Sequence, residues 1–385
     1  METAVAYTRI ERSADAGRAL GRDLRNTLAG PPDALVVFAS PRYAHRELLE
    51  ALCGECPAAV LVGASSSGEF THDAQGEGMA CVLALRSREM RFAAGVGRNI
   101  SRNPAAAAAE MLAAFRGLSG YSPYRSALVL TDALAGYAHA LLEELTLATA
   151  GQYQFFGGGA GDDAQFQRTV VFHGTEVLTD ATVGLEILSP KPIGVGVGHG
   201  WEPASDAFRV TEADGLRLIS LNGLPAVEAF QAHAERLGQV IDLQAPIPFF
   251  LHNILGIDTG TGYRLRVPLA IDADGAVHCA SEIPTGSRVH IMRSTVQSSV
   301  VAAERAIEAA LAGLGGAKPK AAMFFDCVAT RLRMGQEFEA ELATVKSRIE
   351  GAALVGCNTH GQIARADGQF EGFHNCTAVV CLLPG

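Results

Sequence analysis

The chain is poor in aromatic residues, at 6% with a single tryptophan, and poor in charge, at 19% Asp, Glu, Lys and Arg. What charge it carries is acidic, since 31 Lys and Arg stand against 41 Asp and Glu for a formal net charge of -10. No basic run interrupts that balance, which excludes the clustered cations that a nucleic-acid surface or an anionic membrane requires. No window is apolar for long enough to span a bilayer, and the first twenty residues mix both signs of charge where a signal peptide needs a continuous apolar core. These absences point to a cytoplasmic protein whose eight cysteines stay mostly reduced. Cys53 and Cys56 form a close pair, but with no second pair and no His at ligand spacing they make a poor zinc site. Catalytic signatures are missing too. There is no H-E-x-x-H, Gly63 and Gly68 bracket too many residues for a nucleophile elbow, and the glycine run from Gly157 to Asp163 ends in two acids where a phosphate would sit.

What is present is repetition. Near the C-terminus the apolar run Ala352 to Val355 breaks at Gly356, crosses Cys357-Asn358-Thr359-His360, and reaches Gly361-Gln362-Ile363 before a second apolar run, Thr377 to Leu383. Near the N-terminus Leu61-Val62 breaks at Gly63, crosses Ala64-Ser65-Ser66-Ser67, and reaches Gly68-Glu69-Phe70. Both read as a buried strand, a small polar loop between glycines, and a return to another strand. A spacing shared this closely indicates duplication. The surrounding order also recurs, as strand Ala34 to Ala39, helix His45 to Leu52, strand Ala58 to Val62 and strand Met79 to Leu85. It returns as Ala127 to Leu130, His139 to Ala148, Tyr153 to Phe156 and Ala181 to Leu188, and again as Ala321 to Phe325, Glu337 to Ile349, Ala352 to Val355 and Thr377 to Leu383. The expectation is an α/β protein of about three repeated strand-helix-strand-strand units, forming mixed sheets in two lobes, with domains at 1–222 and 223–385.

Between the second and third copies the texture changes. A glycine-rich stretch ends in His199-Gly200-Trp201, and Phe208 to Thr211 and Leu216 to Leu221 alternate as edge strands would, followed by the turn signal Asn222-Gly223. An exposed edge near Phe208 could pair with a second copy, giving a homodimer. Further on, Arg264 to Ile271 and His278 to Ile283 suggest a hairpin about Asp272 to Gly275, and Thr295 to Leu314 a long helix.

These motifs, in this order, resemble FIST domains. Leu61-Val62-Gly63 to Gly68-Glu69, Phe156-Gly157-Gly158 to Asp162-Asp163, Gly200-Trp201 and Asn222 to Ala226 resemble the N-terminal half. Cys327 followed by Arg331, Leu354-Val355-Gly356 to Gly361-Gln362-Ile363, and Phe373-His374-Asn375-Cys376-Thr377 resemble the C-terminal half. Two departures stand out: Gln362 where the loop usually carries Glu, and His360 where an aromatic residue is commoner. The resemblance implies a sensory input domain that binds a small ligand, which in some free-standing members is haem that senses nitric oxide. With no output segment attached to the chain, it implies a separate signalling partner such as a histidine kinase.

Glycine loops at strand ends are where α/β sheets gather ligands. The candidate ligand-binding residues are therefore Gly63, Ser66, Gly68, Glu69, Gly158, Asp162, Gly356, Thr359 and Gly361. Arg331 joins them as a fixed positive charge able to grip a carboxylate or haem propionate. Haem iron needs an imidazole facing an apolar slot, for which His199, His360 and His374 are the candidates and His252 a weaker one. The alternative outside sensing is a hydrolase using Ser66 or Asp162 of the glycine-rich loops.

Overall fold

One succession of elements occurs three times. The computed structural model describes residues 1–120, 122–365 and 372–385. The first unit runs β1 (Glu2–Thr8), α1 (Ser13–Thr27), β2 (Ala34–Ala39), α2 (His45–Glu55), β3 (Val60–Ser65), a hairpin of β4 (Glu69–Thr71) and β5 (Gln75–Gly76), then β6 (Ala80–Arg86). The second repeats it as β7 (Arg91–Arg98), α3 (Pro104–Leu112), β8 (Tyr124–Thr131), α4 (Ala138–Ala148), β9 (Gln154–Gly159), hairpin β10 (Val171–His173) and β11 (Glu176–Leu178), and β12 (Ala181–Ser189).

The third unit begins with β13 (Gly194–Gly198) and is then interrupted by an insertion. The insertion holds β14 (Glu202–Pro203), β15 (Phe208–Asp214), β16 (Arg217–Leu221), β17 (Leu224–Pro225), α5 (Ala226–Leu237) and α6 (Ile247–Phe250). It continues with β18 (Ile254–Asp258), β19 (Tyr263–Arg266), β20 (Pro268–Ile271), β21 (Val277–Cys279) and β22 (Arg288–Arg293). The unit then resumes with α7 (Val296–Gly313), β23 (Pro319–Cys327), α8 (Val328–Met334), α9 (Phe338–Arg348), β24 (Ala353–Thr359), hairpin β25 (Gln362–Arg365) and β26 (Gly372–His374), and β27 (Ala378–Pro384).

Each unit builds a sheet and lends its hairpin to another. The three sheets have the orders β1-β6-β2-β3-β10-β11, β7-β12-β8-β9-β25-β26 and β13-β27-β23-β24-β4-β5. The exchange is cyclic: unit two completes sheet one, unit three completes sheet two, and unit one completes sheet three. In each sheet one pair is parallel, β2 with β3, β8 with β9 and β23 with β24. The mixed α/β architecture expected from the sequence is what forms.

Both faces of these sheets are covered, so the central strands are apolar throughout. Along β2, Ala34, Val36 and Phe38 face a core shared with the other two sheets, while Leu35, Val37 and Ala39 face α1 and α2. Along β23, Ala321, Met323 and Phe325 enter the shared core and Ala322 and Phe324 the layer under α7 and α9. Local signals fix the helix starts: Asn103 accepts from Ala106 N ahead of Pro104, and Thr295 forms a reciprocal cap with Ser298. The insertion has its own sheet, β19-β18-β22-β15-β16-β21-β20, and its own core around Phe230 and Phe250.

Three expectations change. The strands do not stop at the glycines but continue to Ser65, Gly159 and Thr359. Gly63, Gly157 and Gly356 sit beside Val37, Val129 and Phe324 of the parallel partner, where a Cβ would stand 2.2 Å from that residue's carbonyl oxygen in all three sheets. The break in each apolar run is thus a close strand approach, not a turn. Residues 2–8, given no element above, form β1, paired with β6 along its whole length. Last, β15 lies inside the insertion's sheet: Phe208 and Arg209 pair with β22, and Val210 and Glu212 to Asp214 pair with β16.

Candidate functional site

The loops that follow β3, β9 and β24 meet where the three sheets converge. Ser67 N donates to Asn358 O at 2.9 Å and Asn358 N to Gly68 O at 2.8 Å. His360 N donates to Gly159 O at 3.0 Å, and Gly161 N to Ser65 O at 2.8 Å. Gly68 and Gly361 turn these loops with φ of +116° and +96°, a region that side-chain-bearing residues rarely enter.

Two of the loops carry the same brace. Ser66 Oγ donates to Glu69 Oε1 at 2.5 Å, and the other carboxyl oxygen accepts from Met79 N at 3.0 Å, ahead of β6. Gln362 Nε2 donates to Thr359 Oγ1 at 2.8 Å, and Gln362 Oε1 accepts from Thr377 N at 3.2 Å, ahead of β27. Ser66, Glu69, Thr359 and Gln362 are all fully or nearly fully buried. Burial pushes the Glu69 carboxyl up to about 8.

The third loop is organised by Asp162, whose carboxylate accepts from the backbone N–H of Phe166, Gln167 and Arg168. Ser67 Oγ accepts from Asp162 N at 3.1 Å and lies 3.1 Å from His360 Nε2, with Asp162 Oδ1 3.6 Å from the same nitrogen. Burial holds His360 neutral, pulling it down to about 4 against the opposing pull of Asp162. Phe166 stacks on its ring at 4.7 Å. Arg331 turns elsewhere: its Nη2 pairs with Glu77 at 2.5 Å, and its Nε faces Gly68 and Asn358.

On the His360 side of this junction lies a cavity of about 210 Å³. It opens at the carboxyl ends of β8 and β23, where α4 and α8 start, and the strands β20 and β21 of the insertion roof it. Most of the wall is apolar, including Val267, Leu269, Val328, Ala329 and Phe373. Leu134, Tyr137, Phe166, Leu216 and Leu332 form an exposed apolar collar. Among the described residues, three buried polar atoms on this wall have no hydrogen-bond partner: His139 Nδ1, Ser281 Oγ and His360 Nδ1. Cys327 also lines the cavity; donation from the Cys376 thiol holds its own thiol down to about 7.

Of the residues singled out from sequence, His360 and Gly361 reach the cavity. Ser66, Gly68, Glu69, Asp162 and Thr359 belong to the loop junction behind it. Gly63 and Gly356 are strand-packing positions, and Gly158 abuts the Gly361 carbonyl. His199 Nδ1 accepts from Trp201 N at 3.3 Å and its ring also bonds the Tyr263 backbone. His374 is buried and pulled down to about 3 by burial and by Arg266. Among the described residues no group of three or more His, Cys, Asp and Glu is placed to hold a metal ion. His139, Ser281 and Cys327 were not singled out as cavity residues. His139 opens a helix and Ser281 lies in the connection between β21 and β22, and only the insertion's position makes either one a wall.

Models of two families match the chain, the FIST N domain over residues 33–224 and the FIST C domain over residues 229–365. The chain belongs to the FIST family. FIST domains are sensory domains of signal transduction. This FIST protein is 23% identical over 287 residues to an uncharacterized protein of Mycobacterium tuberculosis strain H37Rv, covering 69% of this chain and 70% of the relative. It is 26% identical over 156 residues to an uncharacterized protein of Methanocaldococcus jannaschii, covering 37% of this chain and 30% of the relative. Among solved structures it is similar to cyanuric acid hydrolase from A. caulinodans, with a TM-score of 0.37 and 8% identity over 98% of each chain. It is also similar to phosphoribosylformylglycinamidine synthase II from Thermotoga maritima, with a TM-score of 0.22 and 13% identity over 99% of this chain and 72% of that one. Those scores are too low to carry a mechanistic parallel.

Proposed function

We propose that this FIST protein is a cytoplasmic sensor whose ligand is a small, mainly apolar molecule bound in the cavity between units two and three and the insertion. The reading rests on one observation: three buried polar atoms, His139 Nδ1, Ser281 Oγ and His360 Nδ1, have no partner among the described residues in a mainly apolar wall. A buried polar atom left unpaired costs roughly 1–3 kcal/mol, so a ligand that pairs with them gains affinity and specificity together. His360 suits the task because its neutral ring can present Nδ1 as a donor when Nε2 accepts from Ser67, or as an acceptor in the other tautomer. The wall contributed by the insertion is the part a ligand could shift, and a separate signalling enzyme such as a histidine kinase would read that shift. The eight cysteines, all free thiols, suit a cytoplasmic setting.

The test is thermal unfolding against a panel of compact aromatic and aliphatic probes. A ligand at a hundred times its dissociation constant adds about 2.7 kcal/mol of stability. Ala329→Trp, which fills the cavity, should remove the stabilisation. Probes that stabilise the wild type and this variant alike would sink the reading.

Haem, with nitric oxide as its gas, is the narrower form of the proposal, and His360 is its candidate ligand. The cavity of about 210 Å³ is below the roughly 300–1,000 Å³ of ordinary ligand pockets, so a macrocycle does not fit unless the insertion moves outward. A Soret band in protein expressed with ample haem would support it. A hydrolase is the second class of reading, and Ser67 beside His360 is the observation in its favour. Asp162 approaches the same imidazole nitrogen as Ser67, whereas a catalytic triad needs the acid on the opposite one. Loss of an esterase activity in Ser67→Ala, with ligand binding unchanged, would favour the hydrolase.

A further inference from the structure

We infer that the ligand of this cavity is an apolar anion, a compact aromatic or aliphatic carboxylate, whose charge is balanced by Arg266 and Arg264 behind the wall. The inference rests on the sensor reading above and deepens it.

Arg266 is 1% exposed, yet its partners among the described residues are backbone carbonyls only: Nε donates to Glu282 O at 2.8 Å, and Nη1 to Leu265 O at 2.8 Å and Phe373 O at 3.4 Å. Among the described residues no carboxylate forms an ion pair with it. Arg264 stands two residues away on the same face of β19, so the strand's alternation turns two cations inward together. A buried charge without a counter-ion is costly, and backbone dipoles offset only part of that cost. The strain registers on the neighbours. Burial and Arg264 depress Arg266 itself to about 9, and both arginines add to the burial that lowers His139 and His374.

The cavity is adjacent. Glu282 and Phe373, whose carbonyls hold the guanidinium, line it, and so does Val267, the next residue in the chain. The Glu282 side chain is exposed, which weakens its effect on the buried cation by solvent screening. In a low-dielectric recess a cation that does not itself line the cavity still acts on an anion held there, because Coulomb energies fall off only as the reciprocal of distance. Ser281 Oγ, on the same wall and unpartnered, supplies a hydroxyl donor for the anion. The remaining wall of Val, Leu, Ala and Phe accepts only an apolar body. A phosphate would bring more oxygens than Ser281 and His139 can serve.

Benzoate and benzamide share shape and differ in charge, so the experiment titrates both into the full-length protein and reads binding by calorimetry. Benzoate should bind more tightly by about tenfold, the scale of one hydrogen bond to a charged group. Arg266→Met should bring the two within about twofold of each other. If that variant fails to fold, the wild-type comparison decides alone. Equal binding of the two probes would overturn the inference and leave the cavity reading intact, whereas benzoate bound undiminished by Ala329→Trp would overturn both. Silence from both probes and from every neutral apolar probe would remove the cavity reading, and this inference with it.

Discussion

Glu69 and Gln362 are one position in two forms. Both side chains reach back three residues to a hydroxyl and forward to the backbone N–H that opens the last strand of their unit. Only Glu69 can ionise, and its burial raises its pKa from the ordinary 4.5 to about 8. Between those values the folded chain keeps a proton that the unfolded chain has lost. The contribution is therefore complete below pH 4.5 and lost as pH rises to 8, at no more than about 1.4 kcal/mol per unit. Glu69→Gln should flatten that slope, so that the variant equals the wild type near pH 4.5 and exceeds it by a few kcal/mol near pH 8. Urea unfolding at both pH values checks this, and a constant difference between the two proteins would show that Glu69 is not the group that titrates. The Gln362 departure was legible in the sequence, whereas its cause was not, because a hydrogen bond across a loop leaves no periodic trace. Arg266 was less legible still. Arg264-Leu265-Arg266-Val267 alternates like a strand with a solvated polar face, and only the packing of the insertion against the second unit buries that face.

At the scale of elements the repeated strand and glycine pattern carries the most information, though for another reason than ligand contact. Gly63, Gly157 and Gly356 let three parallel pairs approach closely, with Phe172, Ile363 and Phe70 of the exchanged hairpins opposite them. At Gly356 a Cβ would stand 2.1 Å from the Phe70 ring and 2.2 Å from Phe324 O, so nothing short of moving a strand accommodates it. Gly356→Ala should cost about 3 kcal/mol or more in denaturant unfolding. Gly54, inside α2 with open space around it, is the internal control. Gly54→Ala should gain about 0.5–1 kcal/mol from helix propensity. Equal effects at the two sites would mean that the sheets yield more easily than this packing implies. The apolar runs and their order were readable because each central strand is buried on both faces. The hairpins were not, since β4 and β5 cover only three and two residues and nothing local names the sheet that receives them.

The cyclic exchange makes the whole molecule more than its family halves laid end to end. A cut between Asn222 and Gly223 would separate β13 from β27, β4 from β24 and β9 from β25, one broken seam in sheet two and two in sheet three. It would also divide the shared core, taking Met323, Phe325, Val355 and Val379 from Val36, Val62, Leu128 and Val183. Unpaired strand edges and a half-covered apolar face favour aggregation over independent folding. Residues 1–222 and 223–385 expressed separately should therefore lack cooperative thermal unfolding and fixed near-ultraviolet dichroism. Expressed together they should associate and recover both, because every seam is non-covalent and its partners are then present. A fragment 1–222 that melts cooperatively alone, at the temperature of the full chain, would show that the borrowed hairpins add little. The cavity would then depend on a simple contact between two autonomous halves, and ligand affinity should survive linker changes at 222 and 223. If the interlock governs, the same changes alter affinity and melting temperature together, since Phe373, which lines the cavity, belongs to the exchanged hairpin that closes sheet two.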